Sequence, residues 1–158
     1  MTLAYLALGS NLRTPRRQLH RAIQQLRKLP KTHVIKVAEF YNSKAWGRKI
    51  QPNFCNTVVA IHTSLPPAAL LSECQQIERS QGRIRKIKWG ARTIDIDVIL
   101  YGLKTVHTSR LAIPHPQLLH RDFVLTPLLE IAPDCRMPNG QRIADHFLNG
   151  NACTTIKT

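Results

Sequence analysis

The sequence predicts an α+β fold whose main elements follow the order βαββαβ. Strands are predicted at 2–8, 33–41, 54–63 and 93–101, because apolar or β-branched runs there are bounded by turn residues or helices. Helices are predicted at 15–29 and after the Ser64–Pro67 segment, closing at Glu78, where apolar residues recur at helical spacing. This order is typical of a ferredoxin-like domain, an antiparallel sheet with helices over one face and the other face open.

The first helix has a start and a stop signal in the sequence. Thr14 is the predicted N-cap and Pro15 the first helical residue. Pro30 ends the pattern. The predicted core stripe consists of Leu19, Ala22, Ile23, Leu26 and Leu29.

Irregular segments and short elements complete the chain. Loops are predicted at 42–53 and 82–92, and long loops in compact domains are often functional. After the last core strand we expect a short basic hairpin arm at 103–110 and a rigid extended piece at 113–116. Short helices are predicted at 122–131 and 143–148, the latter ended by Asn149-Gly150.

The composition predicts one domain spanning residues 1–158. The chain is 43% hydrophobic, enough for one sizeable core, and no apolar stretch or leader pattern predicts a membrane span or a secretory signal. The four cysteines form no C-x-x-C pair, so we expect reduced thiols and a cytoplasmic protein. The net charge of +14 favours an anionic ligand, whether nucleotide or nucleic acid.

Two carboxylates interrupt the apolar strand at 93–101. Asp95 and Asp97 are two residues apart, so in a strand both point to one face, while Ile94, Ile96, Val98 and Leu100 point to the other. The preceding residues 83–92 contain five Lys or Arg and no acid. Paired carboxylates beside a cationic loop indicate Mg²⁺ with a bound polyphosphate, and therefore phosphoryl transfer.

Three motifs together resemble one family. They are Gly9-Ser10-Asn11, the string from Trp89 to Asp97, and the segment from Ile113-Pro114-His115-Pro116 to Leu125. In this order they resemble the 6-hydroxymethyl-7,8-dihydropterin pyrophosphokinases over nearly the whole chain. The resemblance implies transfer of pyrophosphate from ATP to the hydroxymethyl group of a reduced pterin, releasing AMP, in folate biosynthesis.

On the nucleotide side, the resemblance assigns metal, catalytic and ATP contacts. Asp95 and Asp97 match the acids that hold two Mg²⁺ ions, and Asp97 is also a hypothetical general base. Arg83 and Arg92 match catalytic arginines. The expected ATP contacts are Gln75, Glu78, Arg85, Trp89, Arg92, Val98, Arg110, His115 and Arg121.

On the pterin side, the resemblance assigns two rings and an amide. Phe54 and Phe123 match the aromatic pair that sandwiches the heterocycle, and Asn56 matches the amide that reads its edge. Ser43, Lys44 and Trp46 stand in the second loop, and Asp95 borders the pterin site. Lys44-Ala45-Trp46 replaces a segment that usually contains proline in the family.

Two rival functions remain open from the sequence. RNA-recognition modules share the βαββαβ order, but their K/R-G-F/Y-G/A-F-V-x-F/Y string is missing. A catalytically inactive relative that binds only nucleotide is opposed by the presence of Asp95, Asp97, Arg83 and Arg92. We therefore expect a monomeric enzyme acting on ATP and 6-hydroxymethyl-7,8-dihydropterin, with no nucleic acid or membrane partner.

Overall fold

A six-stranded antiparallel sheet organises the protein. The computed structural model describes residues 1–43, 54–82, 93–148 and 156–157. The strands of this part of the chain are β1 (Thr2–Ser10), β2 (Thr32–Val37), β3 (Tyr41–Ser43), β4 (Phe54–Thr63), β5 (Asp95–Tyr101), β6 (Val106–His107), β7 (Ala112–Ile113) and β8 (Ile156–Lys157). The helices are α1 (Pro15–Arg27), α2 (Pro67–Ser80), α3 (Asp122–Ile131), α4 (Ile143–Leu148) and a 3₁₀ turn, Leu118–His120.

The strand order confirms the predicted ferredoxin-like core. The main sheet runs β5-β1-β4-β3-β8, with β2 also paired to β4, and every pairing in it is antiparallel. The second chain segment predicted as a strand is divided between β2 and β3. The short strand β8 was not predicted, since two residues carry too little periodicity to be recognised.

Helices α1 and α2 cover what we call the first face of the sheet. The apolar stripe of α1 is buried as predicted at Leu19, Ala22, Ile23 and Leu26. Leu70, Cys74 and Ile77 of α2 join the same cluster with Leu6, Leu8, Val59, Ile61, Ile96 and Val98 from the strands. The spacing of apolar residues along both helices therefore places them on one side of the sheet.

The predicted cap of α1 is wrong in its chemistry. Thr14 occupies the N-cap position, but its backbone is left-handed, with φ of 61°, and its side chain makes no capping hydrogen bond. Pro15 does begin the helix, which ends at Arg27 rather than residue 29. Leu29 still packs against the core from outside the helix, so its place in the apolar pattern reflects burial rather than helical conformation.

The predicted strand 33–41 is broken between Val37 and Tyr41. The N–H of Glu39 donates to both carboxylate oxygens of Glu130 on α3, at 3.1 Å each. Because that N–H is bound by a side chain, it is withdrawn from the strand ladder. The break lies where α3 reaches the sheet, and it separates β2 from β3.

The opposite, or second, face of the sheet is not open as predicted. Val124, Leu125 and Leu128 of α3 and Ile143 of α4 form a second apolar cluster with Ala7, Val58, Ile99 and Leu100. The apolar sides of two short helices and of the sheet thereby leave water together. The open sheet on which RNA-recognition modules stack bases is covered here in part by helices.

An irregularity in β5 changes the predicted alternation of its side chains. The register with β1 shifts between Tyr5 and Leu6, which pair with Leu100 and Val98, so Ile99 is an extra residue. Leu100 therefore lies on the second face with Ile99, although it was predicted to share the face of Val98. Asp95 and Asp97 precede the shift, and their common face is unaffected.

The remaining predictions for the elements and cysteines have the following outcomes. The hairpin arm forms through pairing of β6 with β7, which extends it to Ile113. The helices at 122–131 and 143–148 have the predicted bounds, and α2 runs two residues past Glu78 to Ser80. Cys55, Cys74 and Cys135 are free thiols. Cys153 and the predicted stop at Asn149-Gly150 lie outside the described residues.

Candidate active site

A row of residues crosses four neighbouring strands on the second face. Asp95 of β5 is opposite Gly9 of β1, Gly9 is also opposite Asn56 of β4, and Asn56 is opposite Tyr41 of β3. Directly opposed residues in antiparallel strands point to the same face. The predicted metal ligand and the predicted pterin amide thus flank one glycine, and we call Asp95, Gly9 and Asn56 the central row.

Gly9 leaves the middle of this row without a side chain. A Cβ at this position would lie 3.0 Å from Oδ1 of Asn56 and 3.6 Å from Cδ1 of Phe54. Any larger residue would push against the amide that faces it. The sequence marked Gly9-Ser10-Asn11 only as a turn, whereas the structure gives Gly9 a specific place between the two predicted binding regions.

Asp95 and Asp97 project together from the second face. They are opposite Gly9 and Ala7 respectively, and both are partly buried. Within the described ranges, no cluster of three or more His, Cys, Asp and Glu side chains could hold a metal. Asp95 and Asp97 themselves supply a pair of carboxylates, which fits Mg²⁺, an ion that usually takes one or two protein carboxylates together with substrate phosphates and water.

Glu78 lies behind the two aspartates rather than among them. Its side chain is only 3% exposed, and its Oε2 accepts a 2.8 Å hydrogen bond from the backbone N–H of Ile96. Since β5 is the sheet edge in the described chain, the carboxylate satisfies an N–H that faces away from β1. The expected ATP contact of Glu78 stays a prediction, and the structure shows a structural role for the same carboxylate.

A backbone hydrogen bond determines which ring nitrogen of His115 carries the proton. Its Nδ1 accepts a 3.1 Å hydrogen bond from the N–H of Gln117, so a neutral ring carries its proton on Nε2. Burial lowers the pKa of His115, the charge of Arg121 lowers it further, and Asp95 opposes both. The neutral ring therefore offers an N–H donor, and its pKa is affected by two other predicted site residues, Arg121 and Asp95.

Two predicted nucleotide contacts meet at the rim. Arg110, in the turn between β6 and β7, donates to Oε1 of Gln75 on α2 at 3.4 Å.

Val98, a third predicted nucleotide contact, has its side chain in the core of the first face and is 3% exposed. A nucleotide contact at Val98 would have to use its backbone, because alternation along β5 turns its side chain away from Asp97.

The predicted pterin residues that the structure describes lie on the second face. Phe54 is partly buried beside Gly9, and Phe123 packs partly buried against the cluster under α3. The guanidinium carbon of Arg121 lies 5.7 Å from the centre of the Phe123 ring. Nδ2 of Asn56 donates to Oγ of Ser43 at 2.6 Å, which joins β4 to β3. These contacts bring Ser43, Asn56 and Phe54 into one corner.

The comparisons with known proteins agree on one family. A family model described as 7,8-dihydro-6-hydroxymethylpterin-pyrophosphokinase matches residues 5–133. A 2-amino-4-hydroxy-6-hydroxymethyldihydropteridine pyrophosphokinase of Haemophilus influenzae is 47% identical over 145 residues, covering 92% of this chain and 91% of that protein. The protein of the same name from Pseudomonas aeruginosa is 43% identical over 141 residues, covering 89% and 87%. The chain belongs to this pyrophosphokinase family.

The fold has the same likeness among solved structures. A crystal structure of an HPPK-DHPS protein with substrates gives a TM-score of 0.73 at 14% identity, with 93% of this chain covered. The wild-type Plasmodium falciparum HPPK-DHPS protein gives 0.70 at 14% identity, with 94% covered. The chain spans 43% of each of those longer proteins. These structures show the fold, while the family match makes the protein an ATP-dependent pyrophosphokinase of folate biosynthesis.

Several predicted residues of this pyrophosphokinase lie outside the described residues. They are Lys44, Trp46, Arg83, Arg85, Trp89 and Arg92. Their predicted roles therefore stay predictions. In the described portion of the chain, no helix is both long and apolar enough to cross a membrane.

Sequence reasoning missed the pair formed by Tyr41 and Glu130. The hydroxyl of Tyr41 donates to Oε1 of Glu130 at 2.6 Å, and the same carboxylate accepts from the N–H of Glu39. Tyr41 and Ser43 lie on the same side of β3. The contact joins residues 89 positions apart, so only the covering of the second face by α3 creates it.

Proposed function

We propose that this pyrophosphokinase brings ATP and 6-hydroxymethyl-7,8-dihydropterin together over the central row. The reaction transfers the pyrophosphoryl group of ATP to the hydroxymethyl oxygen and releases AMP. The strand register supports this placement. Gly9 of β1 lies between Asn56 of β4 and Asp95 of β5 and is paired with both. A flat heterocycle beside Asn56 then has its reacting arm directed toward the carboxylates.

Asp95 and Asp97 would hold two Mg²⁺ ions in this proposal. Two protein carboxylates leave most coordination positions for phosphate oxygens and water, as is usual for this ion. When bound, the metal neutralises phosphate charge and lowers the pKa of the hydroxyl group. Asp95 and Asp97 would determine where the triphosphate lies. Their cross-strand neighbours, Gly9 and Ala7, are small and leave space for it on the sheet surface.

The nucleotide side is assigned to donors around those carboxylates. His115 offers an N–H at Nε2, and Arg121 and Arg110 offer guanidinium groups that suit phosphate oxygens. Gln75 holds Arg110 at the rim. We extend the nucleotide side to Arg83, Arg85, Trp89 and Arg92 on the family resemblance alone.

The pterin side is assigned to an aromatic and amide pocket. Phe54 and Phe123 supply ring faces for offset stacking, and Asn56 supplies hydrogen bonds in the plane of the heterocycle. Ser43 borders Asn56. Lys44 and Trp46 belong to the same assignment by resemblance. Asp95 serves both substrates because it stands at the far end of the central row.

The proposed chemical step balances without an added reactant. The hydroxymethyl oxygen forms a bond to the β-phosphorus, and the bond from that phosphorus to the α,β-bridging oxygen breaks. AMP leaves with the bonding electron pair, and the hydroxyl proton passes to the carboxylate of Asp97. General-base help of this kind contributes about 10²–10⁴-fold in rate.

A product assay tests the function. The purified protein is given MgATP with and without 6-hydroxymethyl-7,8-dihydropterin, and AMP is measured. We expect AMP formation that depends on the pterin. Pterin-independent hydrolysis, or none at all, would refute the proposal.

We further propose a cytoplasmic monomer. The free thiols at Cys55, Cys74 and Cys135 are consistent with the cytoplasmic location.

A further inference from the structure

The amide of Asn56 is held by a hydroxyl group on the neighbouring strand. Its Nδ2 donates to Oγ of Ser43 at 2.6 Å, and the two residues are 5% and 7% exposed. Ser43 is not opposite Asn56 in the ladder but opposite Phe54, so the bond runs diagonally between β3 and β4. A buried hydrogen bond of this length holds the plane of the amide, and because a hydroxyl can also donate, the choice between its oxygen and nitrogen ends needs a second neighbour.

Gly9 favours that same orientation from the other side. The hydrogen that glycine carries in place of a Cβ points toward Oδ1 of Asn56, since a Cβ there would lie 3.0 Å from that oxygen. An oxygen accepts such a C–H contact, whereas an NH₂ group in its place would direct hydrogen against hydrogen. Ser43 thus holds the amide in place, and Gly9 favours the oxygen over the central row with the nitrogen toward β3.

The strand that carries Ser43 is itself anchored. Tyr41 lies two residues earlier on the same face, and its hydroxyl donates to Glu130 at 2.6 Å. Glu130 also receives the N–H of Glu39. The position of the Ser43 hydroxyl is therefore determined by contacts with α3 as well as by the pairing of β3 with β4.

We propose that Ser43 is a positioning residue that presents Oδ1 of Asn56 as an acceptor over Gly9. The amide, held by Ser43 in the orientation that Gly9 favours, thereby selects flat heterocycles that carry an N–H donor at the edge facing Asn56. The inference deepens the proposed function and rests on it. It makes Ser43 act through Asn56, with no requirement that the hydroxyl contact the pterin.

The test compares three variants by calorimetric binding of two ligands. The ligands are 6-hydroxymethyl-7,8-dihydropterin, in the presence of α,β-methylene-ATP and Mg²⁺, and α,β-methylene-ATP alone. Ser43→Ala removes the acceptor of the amide, and Ser43→Thr restores it. Thr57→Val is the matched control, because Thr57 follows Asn56 on β4 and its buried hydroxyl donates to the carbonyl of Ala38 instead.

We expect Ser43→Ala to raise the Kd for the pterin about threefold to tenfold, the effect of one neutral hydrogen bond. Ser43→Thr should restore the wild-type Kd, and Thr57→Val should leave it unchanged. The Kd for the ATP analogue should be the same in all variants. An unchanged pterin Kd in Ser43→Ala, equal losses for both ligands, or failure of Thr to rescue would overturn the inference.

A measurement on the wild-type protein makes the test independent of how the variants fold. The side-chain NH₂ of Asn56 should show nuclear Overhauser contacts to the β-protons of Ser43 and none to the α-protons of Gly9. The reverse pattern would overturn the proposed orientation. If wild-type protein forms AMP with the pterin while these tests fail, only this inference is lost. If wild-type protein neither binds the pterin nor forms AMP, the proposed function fails first.

Discussion

The carboxylate of Glu78 accepts the backbone N–H of Ile96 at 2.8 Å, directly between Asp95 and Asp97. A buried side chain from α2 thus holds the strand position that separates the two proposed metal ligands. Hydrogen bonds to charged acceptors contribute about 1.5–3 kcal/mol to stability. The contact joins the folding of β5 to the geometry of the site.

Two replacements of Glu78 should distinguish the contribution of its acceptor oxygen from that of its charge. We expect Glu78→Leu to lower the free energy of unfolding by about 2–3 kcal/mol, because it leaves the Ile96 N–H without this acceptor. Glu78→Gln keeps an acceptor oxygen and should lose about half as much. Urea unfolding followed by circular dichroism measures both, and equal stability of Glu78→Leu and wild type would refute this role.

Asp97→Ala should remove turnover while preserving the fold. The proposed loss of a metal ligand and proton acceptor predicts a fall in kcat of at least about 10²-fold, with unchanged thermal unfolding. Asp134→Ala is the matched control, since that carboxylate is 91% exposed and is paired with Arg142 at 3.4 Å. Near-normal AMP formation by Asp97→Ala, or a comparable loss in Asp134→Ala, would reject the assignment.

Gly9→Ala should harm pterin binding more than nucleotide binding. The added methyl group would meet Oδ1 of Asn56 at 3.0 Å, so the amide or the strand must shift. Overpacking of this kind costs about 1–3 kcal/mol. We expect a KM for the pterin raised about tenfold with a nearly constant KM for ATP, as measured by initial rates. A proportional rise in both KM values would instead indicate general disruption.

The Tyr41–Glu130 hydrogen bond predicts a pH dependence of stability. Burial, then the hydrogen bond and charge of Glu130, raise the pKa of Tyr41 from 10.0 to about 12. A pKa raised on folding gives stability that is fully present below pH 10 and is lost as pH rises toward 12. Tyr41→Phe should therefore be less stable below pH 10 by about 1–2 kcal/mol, and the difference should shrink above it.

Urea unfolding of both proteins across this pH range measures the effect. A stability difference between wild type and Tyr41→Phe that stays constant, or grows, as pH rises would contradict it. The ultraviolet absorbance change on tyrosine ionisation gives an independent reading, since the transition attributed to Tyr41 should be missing from the variant.

The parts of the fold that local pattern determines were predictable. The strand Phe54–Thr63 and the helix Asp122–Ile131 have the predicted bounds, because each is a continuous local pattern. The common face of Asp95 and Asp97 followed from alternation alone. The predicted face of Leu100 is wrong because Ile99 is an extra residue in the pairing of β5 with β1. Nothing in the local sequence indicates this irregularity.

Contacts between distant segments account for most of what the sequence missed. The break between β2 and β3 depends on Glu130, which approaches only after α3 covers the second face. The alternation of β5 implies that the side chain of Val98 faces away from Asp97, so the predicted ATP contact there stays a prediction for its backbone. Glu78 aligned with a nucleotide position, while its buried bond to Ile96 depends on how α2 lies against β5.

The central claim is that metal and pterin meet across Gly9, and paramagnetic relaxation tests it most directly. Mn²⁺ with α,β-methylene-ATP replaces the reactive complex, and amide resonances are recorded with the pterin bound. We predict strong broadening at Gly9 and Ile96 and much weaker broadening at Thr2, at the opposite end of β1 from Gly9, with the effect abolished in Asp97→Ala. Unbroadened signals at Gly9 and Ile96, or broadening that survives Asp97→Ala, would contradict the account.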